Sequence, residues 1–113
     1  MIIPKDITNW IQQAFPKMQS DATQIIEIVL QDQPENERTA RCIIFLAEGD
    51  LQILRTMAKV AKEDYRDVIF WAEYTNHEKR PQLVRNFNLP VDLDKIEQPN
   101  NDIRTIVHSI ANK

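Results

Sequence analysis

Apolar residues recur every three or four positions along most of the 113-residue chain. Residues with this spacing lie on one face of an α-helix, so the pattern predicts helices rather than strands. It is clearest in residues 7–15, 51–61 and 103–110. The sequence has no alternating stretch and no Asn-Gly or Asp-Gly turn that would indicate a hairpin. We therefore predict an all-α fold, a compact irregular bundle of about five to seven short helices.

Several residues mark where these helices begin and end. The one glycine, Gly49, is predicted to end a helix that Pro34 opens, because glycine tolerates the left-handed backbone found there. Asp50 follows directly and can cap the next helix with its carboxylate. Asp64 predicts, in the same way, a separate helix over residues 65–75. We interpret Gly49 and Asp50 as a tight joint between two antiparallel helices.

Three segments are less regular. Residues 22–30 are rich in β-branched side chains and suit either a helix or a strand, but the preceding Ser-Asp pair favours a helix. Pro81 is predicted to begin one or two helical turns. Residues 91–101 are loop-like, and a C-terminal helix is predicted over residues 102–111. All 113 residues are expected to form a single domain.

The composition excludes several classes of protein. A phosphate-binding loop, a dinucleotide fingerprint and a nucleophile elbow each need at least two glycines, and this chain has one. Its single cysteine, Cys42, excludes an intramolecular disulfide and zinc sites built on paired cysteines. The longest apolar run has six residues, far short of the roughly 20 that span a membrane. With no signal-peptide pattern at the N-terminus, a cytoplasmic location is expected.

Catalytic and metal-binding arrangements are not recognisable. His77 and His108 lie 31 positions apart and match no ligand spacing, so neither a metal nor another cofactor is expected. Cys42 lies in the most apolar run, which favours core packing over nucleophilic chemistry. Asp64 and Asp67 are interpreted as electrostatic support for a helix N-terminus. The sequence thus favours a non-catalytic role.

Basic side chains offer one further possibility, nucleic-acid binding. Arg55, Lys59 and Lys62 follow one helical stripe, and Arg66 lies just beyond it. Such a stripe is usually a solvated helix face, and acidic neighbours would reduce its field. The net charge of −3 also opposes attraction to phosphates, so a nucleic-acid partner is not expected.

The aromatic residues in positions 65–74 are the most unusual feature. One-sided packing cannot bury all of them, so either neighbouring helices enclose this helix or some of the rings form a recognition surface. Tryptophan, tyrosine and arginine dominate the energetics of protein interfaces. The candidate interaction surface consists of Arg66, Phe70, Trp71, Tyr74, Arg80 and Arg85. Residues 85–89 could instead fold back and cover it.

Two functions follow from these patterns. The first is a small cytoplasmic protein that acts by binding another protein or by self-association. The alternative is a small-ligand binder or enzyme with an interhelical pocket. That pocket would be formed by Arg66, Asp67, Trp71, Glu73 and Tyr74, with His77 as a further candidate.

Overall fold

The structure, a computed structural model, describes residues 2–32 and 35–112. It contains five helices: α1 (Lys5–Ala14), α2 (Gln19–Asp32), α3 (Asn36–Ala47), α4 (Leu51–Glu73) and α5 (Asn101–Ala111). Two short strands, β1 (Tyr74–Thr75) and β2 (Gln82–Leu83), pair in antiparallel fashion. The radius of gyration is 12.9 Å, close to the ~13 Å of a compact body of this length. The prediction of a small helical bundle is confirmed.

Helix α3 forms the centre of the bundle. Residues 39–47 are buried without interruption, which means that neighbours surround the helix on every side. Helices α2 and α4 pack directly against it. A continuous apolar run such as residues 42–47 of this helix is typical of such a central position. The segment 22–30 lies within α2, and its buried stripe of Ala22, Ile26 and Val29 confirms the helical interpretation.

The joint between α3 and α4 has the predicted form. Gly49 adopts a left-handed backbone with φ of +78°, and Glu48 before it is also left-handed. The Asp50 carboxylate accepts a hydrogen bond of 3.1 Å from the backbone N–H of Ile53, which caps α4. Pro34, the predicted start of the preceding helix, lies outside the described residues.

Replacing Gly49 with alanine should lower the free energy of unfolding by about 1–3 kcal/mol. The left-handed φ disfavours any residue with a Cβ atom, and this Cβ would lie 2.8 Å from the carbonyl oxygen of Ala14 at the end of α1. Urea denaturation followed by circular dichroism measures the loss. The exposed Gln52→Ala is the control and should change stability by less than about 0.5 kcal/mol. Equal stabilities of the two variants would contradict this account of the joint.

Helix α4 consists of two helical stretches that meet at Asp64. This residue has φ of −156° and ψ of 99°, outside the helical region. Its carboxylate accepts a hydrogen bond of 3.1 Å from the backbone N–H of Arg66, as the cap of a new helix does. The predicted start of a helix after Asp64 is therefore correct, although no loop separates the two stretches.

The region after α4 differs from the prediction. The helix ends at Glu73 rather than near residue 75, and residues 82–83 form β2 instead of helical turns. Tyr74 pairs with Leu83, and the N–H groups of Val84 and Arg85 both donate to the carbonyl oxygen of Glu73. Strands of two residues are too short to show an alternating pattern, so the sequence contained no signal for them.

The C-terminal part agrees with the prediction. Residues 91–100 contain neither helix nor strand, and α5 begins at Asn101. Asn100 caps α5, because its side-chain oxygen accepts a hydrogen bond of 2.9 Å from the N–H of Ile103. Among the described residues, no helix combines the length and apolar character that crossing a bilayer requires.

Candidate functional site

Three aromatic side chains lie together on the outer side of the bundle, two from the second stretch of α4 and one from the first residue of β1. Val68, Ile69 and Ala72 on the inner side of α4 are buried. On the outer side lie the half-buried rings of Phe70, Trp71 and Tyr74, which we call the aromatic face. Trp71 also packs against the core, so its ring belongs partly to both environments. The enclosed helix is therefore α3, and this part of α4 keeps one side open to solvent.

The hairpin turn folds back onto the aromatic face. The Phe70 ring lies 5.3 Å from the Tyr74 ring and 5.0 Å from the His77 ring, which meets it edge-on. Nε2 of His77 lies 3.2 Å from the Phe70 carbonyl oxygen, within hydrogen-bond distance. His77 also lines a cleft of about 370 Å³ whose other wall is α5, with Asp102, Thr105 and Ile106. His77 thus connects the aromatic face with this cleft beside α5.

The arginines of the candidate surface are distributed differently. Arg66 is exposed one turn before Phe70 and pairs with Asp64 at 2.9 Å. Arg80 is exposed in the turn between β1 and β2. The Arg85 guanidinium lies 4.6 Å from the centre of the Phe45 ring of α3 and donates to the Ala72 carbonyl oxygen, so its contacts are with these groups rather than with the rings of the aromatic face. The structure therefore groups the three aromatic residues and separates Arg85 from them.

Residues 85–89 do fold back, but over a different surface. Phe87 is buried, with its ring 6.0 Å from that of Trp10 in α1 and 5.2 Å from that of Phe45. The segment consequently closes the core between α1 and α3. The alternative expectation, that it covers the aromatic face, is not met.

An ion pair between the half-buried Arg38 and the fully buried Glu73 lies beneath this segment. The Glu73 side chain is fully buried, and its carboxylate accepts hydrogen bonds of 2.9 and 2.6 Å from the Arg38 guanidinium. One carboxylate oxygen also accepts a bond of 2.9 Å from the backbone N–H of Phe87. These bonds connect α3, α4 and the loop after β2 in one network, which satisfies the buried charge of Glu73.

A second ion pair fixes the same segment to α1. Arg41, only 3% exposed, donates to the Asp6 carboxylate at 2.8 and 3.1 Å and to the Phe87 carbonyl oxygen at 3.2 Å. The Val91 N–H also donates to Asp6, at 3.0 Å. Burial alone would raise the pKa of Asp6, but the bonds from Arg41 and Val91 outweigh it and lower that pKa.

Sequence reasoning missed this network. Its one signal is that Arg41 precedes an apolar run and Glu73 follows one, positions where a buried charge needs a partner. The partners themselves lie 35 residues away and leave no local pattern. Cys42, predicted as a core residue, is a buried free cysteine. Burial, and secondarily the charge of Glu73, raise the pKa of its thiol well above the ordinary value.

The five residues of the alternative pocket do not converge. The Glu73 carboxylate is occupied by Arg38 and Phe87, as described above. Arg66 and Asp67 are exposed instead. Within residues 2–32 and 35–112, no group of three or more His, Cys, Asp and Glu side chains is placed to hold a metal ion.

Fold and site together define a small helical bundle with a short hairpin and a half-buried aromatic face. Compared with known proteins, the chain matches no protein-family model, and neither a curated protein nor a solved structure is significantly similar to it. Any function must therefore be argued from its own residues.

Proposed function

We propose that this protein acts by self-association, with the aromatic face as the contact between two copies. The observation that carries the proposal is the grouping of the half-buried Phe70 and Trp71, at the end of α4, with Tyr74, the first residue of β1. Large aromatic rings on a regular element offer apolar area at a small cost in conformational entropy, which is why they concentrate binding energy. A cytoplasmic location suits the protein, because its one cysteine is a free thiol.

Charges at the two ends of the aromatic face support a second copy as the occupant. At its N-terminal end, Glu63 and Asp67 are exposed beside Lys62 and Arg66, and residues 62–67 carry a net charge of −1. In the hairpin turn beyond its C-terminal end, the exposed Glu78, Lys79 and Arg80 carry a net charge of +1. A two-fold axis brings opposite ends of the same surface together. In that arrangement each acidic end meets the basic end of the other copy, and the pairing sets the register of the contact.

Sedimentation velocity at concentrations up to about 1 mM tests the proposal. The wild-type protein should form a dimer, and the charge reversal Asp67→Lys should weaken it by about tenfold or more, because like charges then face each other. The double reversal Lys79→Glu with Arg80→Glu should weaken it similarly. The exposed Arg55→Glu in the first stretch of α4 is the control and should leave the dimer intact.

A mixture of the two reversed proteins provides the sharpest comparison. Two copies of the same variant repel each other at the contact. In the mixture, the lysine of Asp67→Lys faces the acidic turn of the other variant, so the two should form a heterodimer. Recovery of the dimer in the mixture supports the antiparallel contact. A wild-type protein that stays monomeric throughout, or a mixture that does not dimerise although each variant is folded, overturns the proposal.

A further inference from the structure

A second cleft lies apart from the aromatic face, between the loop after β2 and the segment that leads to α5. Its volume of about 310 Å³ is at the lower end of the roughly 300–1,000 Å³ typical of small-molecule sites. Apolar and charged side chains line it together, and those that carry the argument are Val84, Leu89, Ile96, Arg85, Lys95 and Glu97. Val84 and Leu89 are 51% and 58% exposed, although both are fully apolar.

Arg85 has no close carboxylate partner, unlike most arginines of the described chain. Four other arginines each hold a carboxylate by two hydrogen bonds, the shorter measuring 2.6–2.9 Å: Arg38, Arg41, Arg66 and Arg104. Arg85 is only 16% exposed, yet among the described residues its nearest carboxylate is that of Glu97, 4.0 Å away and 82% exposed. One of its N–H groups donates to the Ala72 carbonyl oxygen at 3.1 Å.

This arrangement leaves a largely shielded guanidinium with the Phe45 ring and one carbonyl oxygen as neighbours but without a carboxylate bound by two hydrogen bonds. A carboxylate that accepts two parallel hydrogen bonds from a guanidinium offsets most effectively the cost of removing that group from water. Burial lowers the pKa of Arg85, and Glu97 offsets only part of that effect. The contact with Glu97 is too long for such a two-bond pair.

The charges around the cleft restrict the ligand. Arg85 and Lys95 are balanced by Asp92 and Glu97 on the same lining, so a doubly charged anion such as phosphate would meet repulsion that no additional cation compensates. A singly charged group suits the site better. The exposed apolar walls favour a ligand that also has an apolar part.

We propose that this cleft binds a small organic carboxylate with an apolar body. The ligand carboxylate forms the close pair with Arg85 that Glu97, 4.0 Å away, does not form. The apolar body of the ligand packs against Val84, Leu89 and Ile96. The proposal is independent of self-association, because it uses none of the aromatic-face residues.

Nuclear magnetic resonance titration of ¹⁵N-labelled protein tests it, with 3-phenylpropanoate as the probe. The probe should cause saturable shifts in the backbone amides of residues 84–97. The amide of the same acid has the same shape without the charge, and its affinity should be lower by about tenfold or more. Absence of saturable shifts, or equal binding of acid and amide, overturns the proposal.

Variants separate the role of Arg85 from general charge effects. Arg85→Gln should weaken binding of the acid by about tenfold or more. Glu97→Gln should strengthen it severalfold, since it removes an internal competitor. The exposed Asp94→Asn, outside the cleft lining, makes the same change in net charge and should have little effect. If Arg85→Gln does not fold, the test is the affinity of the other two variants for the acid. Equal affinities of Glu97→Gln and Asp94→Asn overturn the proposal. Asp67→Lys should bind the acid as the wild type does.

Discussion

Replacing Glu73 with alanine should lower the free energy of unfolding by about 3–5 kcal/mol. The carboxylate is fully buried, and its removal leaves the Arg38 guanidinium and the Phe87 N–H without the oxygen atoms that accept their hydrogen bonds. The Phe87 N–H is then a buried donor without an acceptor, which costs more than the net value of the bond it formed, and the half-buried Arg38 loses its carboxylate partner. Urea denaturation with circular dichroism measures the change.

Arg66→Ala is the matched control for this prediction. This substitution likewise removes two hydrogen bonds between an arginine and a carboxylate, but the pair of Arg66 and Asp64 lies at the surface. Ion pairs in water contribute little, since solvent replaces their bonds and salt screens their charges. A loss for Glu73→Ala no larger than that for Arg66→Ala would show that the buried pair does not hold the fold together.

Replacing Phe87 with alanine should cost a similar amount, about 3–5 kcal/mol. Its ring is 3% exposed and fills the space between Trp10 and Phe45, so truncation leaves a cavity that the surrounding helices cannot easily close. Denaturation measures the loss, and the fluorescence of Trp10 should report greater access of water. Trp71 contributes a constant background to that signal because it lies on the aromatic face.

Leu89→Ala serves as the control for this second prediction. Leu89 is in the same loop but 58% exposed, so its truncation should change stability by less than about 0.5 kcal/mol. Similar losses for Phe87→Ala and Leu89→Ala would mean that the loop, rather than the buried ring, sets the stability. The double variant of Glu73 and Phe87 should lose less than the sum of the single losses, because both residues fasten the same segment.

Local signals in the sequence were sufficient where the structure depends on near neighbours. Gly49 and Asp50 define the joint between α3 and α4 through a left-handed residue and a cap, and both effects act within a few positions. The helix start at Asp64 has the same origin. The helical spacing in α5 was also correct, because a repeated apolar stripe survives in any tertiary setting that offers it a core.

Contacts between distant residues had no such signal. Arg38 and Glu73 are separated by 35 positions, and Asp6 and Val91 by 85. The hairpin after α4 depends on the Glu73 carbonyl, which accepts the N–H groups of residues 84 and 85. Arg85 was predicted at the aromatic surface on sequence proximity alone, but packing against Phe45 placed it at a different cleft.

The order of apolar and polar residues by itself determined that the chain forms helices, where several of them begin, and that one aromatic helix exceeds what a single buried face can hold. Only the tertiary structure decided which helix is central, which charges are buried and which rings remain open to solvent. The reason is that helix formation is governed by residues within about one turn, whereas burial depends on which surfaces the whole chain brings together.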